Sequence, residues 1–357
     1  FDDAKELFYK LPDRDLISWN AMIAVSTQSE KQWMAISLYN QMIQEDTFPD
    51  EYTLGSILDA CVTLTTLPIG KSIHASVKAS GLEVDVVVGS ALLNMYGKCE
   101  CYSDALETFE MMPHQNRVTF INILSTCAAQ IAIDEGRRMH SRITMHGLIV
   151  DVNLGNALVN MYGKCCSLID AHQMFHDMPE RDVISWNAVI AVYSQNGQAR
   201  NALCLFFQMK EQSVTPNTIT FVNILSACSH AGLIKEGYQC FSSMERNHSV
   251  VPSVDHYNCI VDLLVRARKL DEAECFLVCM GIEPTVVSWT TLLGACRFEA
   301  DLERGQRIVK HVLTLDKTNP AHHVTLANIY AAAGEGDEAT KIMDKLREMD
   351  QVDMWIE

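Results

Sequence analysis

The amino-acid sequence predicts an all-α fold, a right-handed superhelical α-solenoid of two-helix repeats. Two observations carry this reading: strings that return along the chain, and apolar residues at helical spacing inside each returning unit. Ile17-Ser18-Trp19-Asn20-Ala21-Met22-Ile23-Ala24-Val25 returns as Ile184-Ser185-Trp186-Asn187-Ala188-Val189-Ile190-Ala191-Val192. Asn94-Met95-Tyr96-Gly97-Lys98-Cys99 returns as Asn160-Met161-Tyr162-Gly163-Lys164-Cys165, and Asn122-Ile123-Leu124-Ser125-Thr126-Cys127 as Asn223-Ile224-Leu225-Ser226-Ala227-Cys228. Self-similarity at a period of this size marks a stacked-repeat architecture.

Laid end to end, the units run 16–50, 51–85, 86–116, 117–151, 152–182, 183–217, 218–253, 254–285, 286–319 and 320–357. Residues 1–15 read as the back half of another unit, and no stretch is left over for a separate domain. Unit 183–217 shows why each unit reads as two helices. Trp186, Ile190 and Tyr193 fall at i, i+4, i+7, and so do Ala202, Phe206 and Met209. Asn196-Gly197 supplies the turn between them, and Pro216 closes the second helix. Two such helices cannot bury both of their apolar faces alone, so neighbouring units must stack.

Composition bounds the function classes. Of 357 residues, 48% are hydrophobic and 20% charged, the balance of a folded chain. No uninterrupted apolar run approaches the roughly 18 residues that a membrane-spanning helix needs. Lys+Arg 28 against Asp+Glu 45 leaves −17, which argues against binding nucleic acid by bulk charge but leaves room for a local basic stripe. No charged-then-apolar signal segment opens the chain.

Thirteen cysteines, an odd count, suggest reduced thiols rather than a disulfide framework. Cys61, Cys127, Cys228 and Cys296 each take the eleventh place of their unit, and Cys99 and Cys165 the fourteenth. Recurrence at one place per repeat marks small packing residues. No C-x-x-C pair and no H-x-E string occurs, so the zinc-deaminase signature is missing and no metal, cofactor or catalytic residue is expected.

With these strings in view, the sequence resembles plant-type pentatricopeptide repeat proteins of the subclass that alternates P-type, long and short motifs. Ser185-Trp186-Asn187-Ala188 opens a P-type motif, Asn223 to Cys228 belongs to a long one, and Met161 to Cys165 with Met178-Pro179-Glu180-Arg181-Asp182 to a short one. The resemblance implies a partial short repeat over 1–15 and eight repeats over 16–285, in the order P, long, short, long, short, P, long, short. Residues 286–357 resemble the E-type extension of this subclass, on Val287-Ser288-Trp289, Leu292-Leu293-Gly294-Ala295-Cys296 and Ala327 to Gly334. Trp355-Ile356-Glu357 looks like the junction at which relatives continue into a deaminase domain. A P-type motif expected between Asn116 and Arg117 is absent, and the last short motif ends in Thr285 where Asp or Asn is usual.

Proteins of this kind read single-stranded RNA at about one base per repeat. The resemblance implies that the fifth and last residues of a motif read the base edge while the second packs beside the base. Carried over, Asn20 with Asp50 favours uracil, Ser90 with Asn116 adenine, Asn156 with Asp182 uracil, and Asn187 with Asn217 cytosine or uracil. Asn258 with Thr285 suggests a pyrimidine. The long motifs put Gly55, Ile121 and Val222 at the fifth place, which offer no polar base contact. Asp50, Asp85, Asp151 and Asp182 each precede an apolar helical run and could equally be N-caps. Ile17, Val87 and Ile184, at the second place, could equally be core residues. Lys98, Lys164 and Arg266 share the thirteenth place of the short motifs, where they could meet phosphates or simply form a solvated face.

The function implied is a sequence-specific single-stranded RNA-binding protein selecting cytidine-to-uridine editing sites in mitochondrial or chloroplast transcripts. The deaminase would come from another protein or a missing domain, docked with other editing factors through the E-type units. The alternative is an acidic solenoid that scaffolds protein partners.

Overall fold

The computed structural model describes residues 1–81, 85–316 and 319–353, so Trp355-Ile356-Glu357 lies outside the described residues. Among the described residues there are 21 helices and no strand. A short helix, α1 (Asp2–Lys10), precedes a series of helical hairpins. These are α2 (Leu16–Gln28) with α3 (Gln32–Gln44), α4 (Glu51–Leu64) with α5 (Leu67–Ser80), and α6 (Val86–Lys98) with α7 (Tyr102–Met111). Next come α8 (Arg117–Ala129) with α9 (Ile133–Met145), α10 (Val152–Lys164) with α11 (Leu168–Asp177), and α12 (Val183–Gln195) with α13 (Ala199–Glu211). The series ends with α14 (Thr218–Ala231) and α15 (Ile234–His248), α16 (Val254–Arg266) and α17 (Leu270–Cys279), α18 (Val286–Glu299) and α19 (Leu302–Leu315), and α20 (Ala321–Ala332) and α21 (Gly336–Asp353).

The chain forms two compact units, Phe1–Arg181 and Asp182–Glu357. In the first, α2, α4, α6, α8 and α10 pack successively, each on the next. In the second, α12, α14, α16, α18 and α20 do the same. Each hairpin therefore buries its first helix against its neighbours, as a repeat solenoid does.

Short polar side chains start these first helices. Asp50 accepts a hydrogen bond from the Thr53 N–H at 2.9 Å and Asn116 one from Thr119 at 3.0 Å. In the second unit Asp182 accepts from Ser185 at 2.9 Å and Asn217 from Thr220 at 3.0 Å. In all four the N3 hydroxyl accepts from the cap residue's own N–H, which closes a capping box. A cap of this kind is worth about 1 kcal/mol. Most turns inside the hairpins pass through one residue with left-handed backbone. Gly197 takes it at φ +71° in the expected Asn196-Gly197 turn, but Ile131 takes it at φ +55° without being glycine. α13 stops at Glu211, ahead of Pro216, through Ser213 at φ +59°.

The core repeats as the register does. Trp19 in the first unit and Trp186 in the second are buried at the same place of their first helices. Cys61, Cys127, Cys228 and Cys296 are fully buried, none of the cysteines forms a disulfide, and burial pushes the Cys127 and Cys228 thiols up to about 12. These thiols are packing groups, protonated at neutral pH. Glycines on second helices admit a side chain from the next first helix. A Cβ on Gly136 would lie 2.2 Å from Met161 Sδ, and one on Gly237 2.5 Å from Leu263 Cδ2.

His256 stands where the other capping boxes have a hydroxyl. Fully buried, it accepts from the Ser253 N–H through Nδ1 at 3.0 Å and donates through Nε2 to the Thr218 carbonyl at 3.0 Å. These bonds use the neutral ring. Burial pushes the imidazole below its ordinary value of 6.5, against smaller upward pulls from the Thr218 carbonyl and the Asp255 carboxylate.

Two predictions follow from this packing. Left-handed backbone costs a β-branched residue about 1–2 kcal/mol, so Ile131→Gly is expected to raise stability by about 1 kcal/mol. A thermal midpoint that stays or falls would refute the strain. For His256, the unfolded chain takes up a proton at higher pH than the folded one. Stability is therefore fully present above about 6.5 and lost as pH falls below it. His256→Thr, which keeps the capping hydroxyl, should show a shallower loss in melting scans between about pH 5 and 6.5. An unchanged slope counts against this role.

Candidate nucleic-acid interface

The first helices present the candidate base-reading residues. Asn20 sits one turn into α2, and Asp50 caps the start of α4. Asn20 Nδ2 donates to both Asp50 carboxylate oxygens at 3.0 Å, and Asn20 Oδ1 accepts from the Thr53 hydroxyl. Burial raises the Asp50 pKa, but hydrogen bonds from the Thr53 backbone, the Thr53 hydroxyl and Asn20 outweigh it and hold the carboxyl below its ordinary value. Asp50 is thus an ionised acceptor beside an amide whose orientation is fixed.

The second unit repeats the arrangement with an amide in place of the carboxylate. Asn187 Nδ2 donates to Asn217 Oδ1 at 3.0 Å, and the Thr220 hydroxyl donates to Asn187 Oδ1 at 2.6 Å. Asn187 is buried, so its amide has little freedom to turn. Asn258 Oδ1 likewise accepts from Ser288 Oγ at 2.6 Å, beside the Thr285 cap. The threonine or serine three residues after the cap thus serves the helix start and the neighbouring amide together. The cap and the pairing with a fifth-place residue are not alternatives; Asp50 and Asn217 do both.

Ser90 and Asn116 are arranged differently. The Ser90 hydroxyl turns back one turn to the Val86 carbonyl at 2.6 Å, while Asn116 Oδ1 caps α8 through the Thr119 N–H. Among the described hydrogen bonds none joins the two. A serine hydroxyl ends one bond nearer the backbone than an asparagine amide, and its own helix offers the nearer acceptor. Asn122 Nδ2 closes the gap from the next helix, donating to the Ser90 carbonyl at 3.0 Å. Asn223 does the same to the Asn187 carbonyl at 3.2 Å. These sixth-place asparagines tie first helices together beside the apolar residues Ile121 and Val222. Asn156 is half-buried on α10 in the first compact unit, and Asp182 opens the second, where it caps α12.

The second-place residues leave the core. Ile17 is 78% exposed, Val87 54% and Ile184 58%. Tyr52, Val118, Ile219 and Val287 hold the same place in their units and are exposed too. Sequence reasoning passed over these four, although their register place was the available signal. Lys98 and Lys164 are exposed at the ends of α6 and α10. Arg266 is exposed at the end of α16 and donates its Nε to Asp262 Oδ2 at 2.8 Å, so part of its charge is matched internally. Lys98 borders a cleft of 330 Å³ between α6 and α8, together with Asn94, Asn122 and Ser125. Among the described residues no group of three or more His, Cys, Asp or Glu is placed to hold a metal ion, and no helix is long and apolar enough to cross a membrane.

Comparison with known proteins adds the family. The model of the PPR repeat matches residues 17–46, 90–116, 156–183, 219–249 and 255–281, and that of the PPR repeat family matches 181–230. The chain is 33% identical to an Arabidopsis thaliana chloroplastic pentatricopeptide repeat-containing protein, At3g49170, over 100% of this chain and 47% of that one. It is 34% identical to the mitochondrial At2g03880 protein of Arabidopsis thaliana, over 97% of this chain and 60% of that one. The chain thus spans about half to three-fifths of the length of these two relatives. For a third, At1g50270 of Arabidopsis thaliana, identity is 31% over 100% of this chain and 67% of the relative. Among solved structures, the pentatricopeptide repeat protein PPR10 in complex with an 18-nt psaJ RNA element superposes with a TM-score of 0.52 at 14% identity, over 97% of this chain and 57% of that one. That likeness bears on the fold. With the repeat model recurring along both compact units, and a relative matched over two-thirds of its length, the chain belongs to the pentatricopeptide repeat proteins.

Proposed function

We propose that this chain binds single-stranded RNA in a sequence-specific way, at about one base per repeat, and selects sites for cytidine-to-uridine editing in organellar transcripts. The observation that carries the reading is the recurring pair of a fifth-place asparagine and a capping residue, each locked by the next hydroxyl. Where it occurs, at Asn20, Asn187 and Asn258, it presents fixed donors and acceptors at the same place of the repeat, as reading a base edge requires. The exposed aliphatic residues Ile17, Val87 and Ile184 support it, since they can fill the space beside a base. Lys98, Lys164 and Arg266 would meet phosphates. The PPR10–RNA complex and the organellar names of the relatives agree with this reading.

The subclass resemblance assigns the repeats of 16–285 to alternating P-type, long and short motifs and 286–357 to an E-type extension. On that assignment the chain supplies selection while a deaminase-domain protein, recruited with other editing factors through 286–357, supplies the chemistry. The array runs parallel to the RNA, its N-terminus toward the 5′ end. The repeat 254–285 faces the fourth base upstream of the edited cytidine. Counting back gives Asn187/Asn217 at the sixth base, Asn156/Asp182 at the seventh, Ser90/Asn116 at the ninth and Asn20/Asp50 at the eleventh. The expected pattern is U, any, A, any, U, C or U, any, then a pyrimidine. Enrichment of RNA from a random pool tests it directly. A chain that binds at low salt without regard to sequence would instead be an acidic scaffold for protein partners.

Two substitutions probe the readers. Asn116→Asp is expected to move the ninth-base preference from adenine toward guanine by about 1–2 kcal/mol. Titrations with RNAs substituted singly at the ninth and tenth bases read this out, and indifference at both would remove Ser90 and Asn116 from the readers. Thr220→Val keeps the side-chain shape but releases Asn187 Oδ1. Discrimination at the sixth base should fall about three- to tenfold, with binding of RNAs mismatched there unchanged. Retained discrimination would show that the hydroxyl does not orient the amide.

A further inference from the structure

In the second compact unit a cavity of 650 Å³ opens beside α16, α18 and α20. Its walls include Arg266, Arg268, Arg297, Phe298 and Asn328. The volume lies within the range of about 300–1,000 Å³ typical of small-ligand sites. It is the same kind of space as the Lys98 cleft, formed between neighbouring first helices, but about twice as large and differently lined.

Phe298 is the telling residue. It takes the thirteenth place of its unit, the place held by Lys98, Lys164 and Arg266 in theirs. There it stands 79% exposed, although a phenylalanine gains about 1.5–3 kcal/mol from full burial. The Arg297 guanidinium carbon lies 5.0 Å from the ring centroid, a cation–π contact that also sets positive charge beside the ring. Arg268 and Arg266 bring further guanidinium groups to the rim. The acids there are Asp262, which accepts from Arg266 Nε at 2.8 Å, and Glu299, 3.9 Å from Arg268 Nε. Three arginines against two carboxylates leave the cavity positive in a chain of net charge −17. An exposed aromatic ring in a positive cleft is the equipment that single-stranded nucleic acid uses, one part for the base and the other for the phosphate.

We propose that this cleft takes one nucleotide of single-stranded RNA, on the 3′ side of the base facing 254–285, with the base stacked on Phe298 and a phosphate held by Arg297 and Arg268. The inference rests on the RNA-reading proposal and deepens it. It gives 286–357 an RNA contact of its own, a stacking site indifferent to base identity beyond the repeats that select bases. Asn328, also in the lining, offers an amide to whichever base edge enters.

The test uses the full chain and an RNA octamer of the expected pattern, 5′-UAAAUCAU-3′, alone or extended by two adenosines at its 3′ or its 5′ end. The 3′ extension should tighten binding about five- to tenfold and the 5′ extension should not. Phe298→Ala and Arg297→Gln should each abolish that gain while leaving octamer binding unchanged, and Phe298→Tyr should keep it. A 2-aminopurine at the first added position should be quenched by the unaltered chain and not by Phe298→Ala. Because Phe298 is exposed, its loss leaves no core cavity, and the tyrosine variant controls for folding. If the octamer binds with base selectivity and the 3′ gain is absent or survives Phe298→Ala, the inference falls while the RNA-reading proposal stands. Such a result would include a cleft that serves a protein partner instead. If none of the three RNAs binds, both fall.

Discussion

A hairpin of two short helices cannot bury both of its apolar faces, and most of this structure answers that constraint. Within each compact unit a first helix lies between the first helices before and after it. Trp19 and Trp186 are buried in this stacked core, and the eleventh-place cysteines are fully buried in it as well. Gly136 and Gly237 serve the same closeness from the second helices, each leaving a slot for a side chain of the next hairpin. Stability is thus distributed over contacts between successive hairpins.

Stacking also brings chemistry into register. Because consecutive first helices lie side by side, a residue one turn into one helix meets the cap of the next. Asn20 reaches Asp50 and Asn187 reaches Asn217 by this route, across about thirty residues of sequence. A hydroxyl at the third place of the following helix completes each group. The same spacing leaves clefts between the helices, lined in part by thirteenth-place residues: Lys98 in one, Arg266 and Phe298 together in the other.

Much of this was legible in the sequence because repetition multiplies weak signals. One aspartate before an apolar run is an ambiguous cap, but recurrence fixed both the helix starts and the all-α class. The eleventh-place cysteines could be read as packing groups by the same logic. Three matters were not legible. The second place lies at the edge of the apolar stripe, so Ile17, Val87 and Ile184 fitted core or surface until the neighbouring helix was seen. Whether a fifth-place side chain reaches the next cap depends on its length, and Ser90 bonds its own helix where asparagine crosses the gap. The strained turn at Ile131 and the histidine cap at His256 carry residues without the usual turn or cap chemistry.

The double duty of the capping residue has a consequence for how such an array can change. A side chain that must accept from the N–H groups at a helix start can be drawn only from aspartate, asparagine, serine and threonine without loss of stability. If the same side chain also faces a base, the vocabulary of recognition at that place is set by helix chemistry before any RNA is met. Exchanges among the four leave the scaffold standing, so binding preference can drift one letter at a time. Any other residue would alter the letter and loosen the frame that holds it.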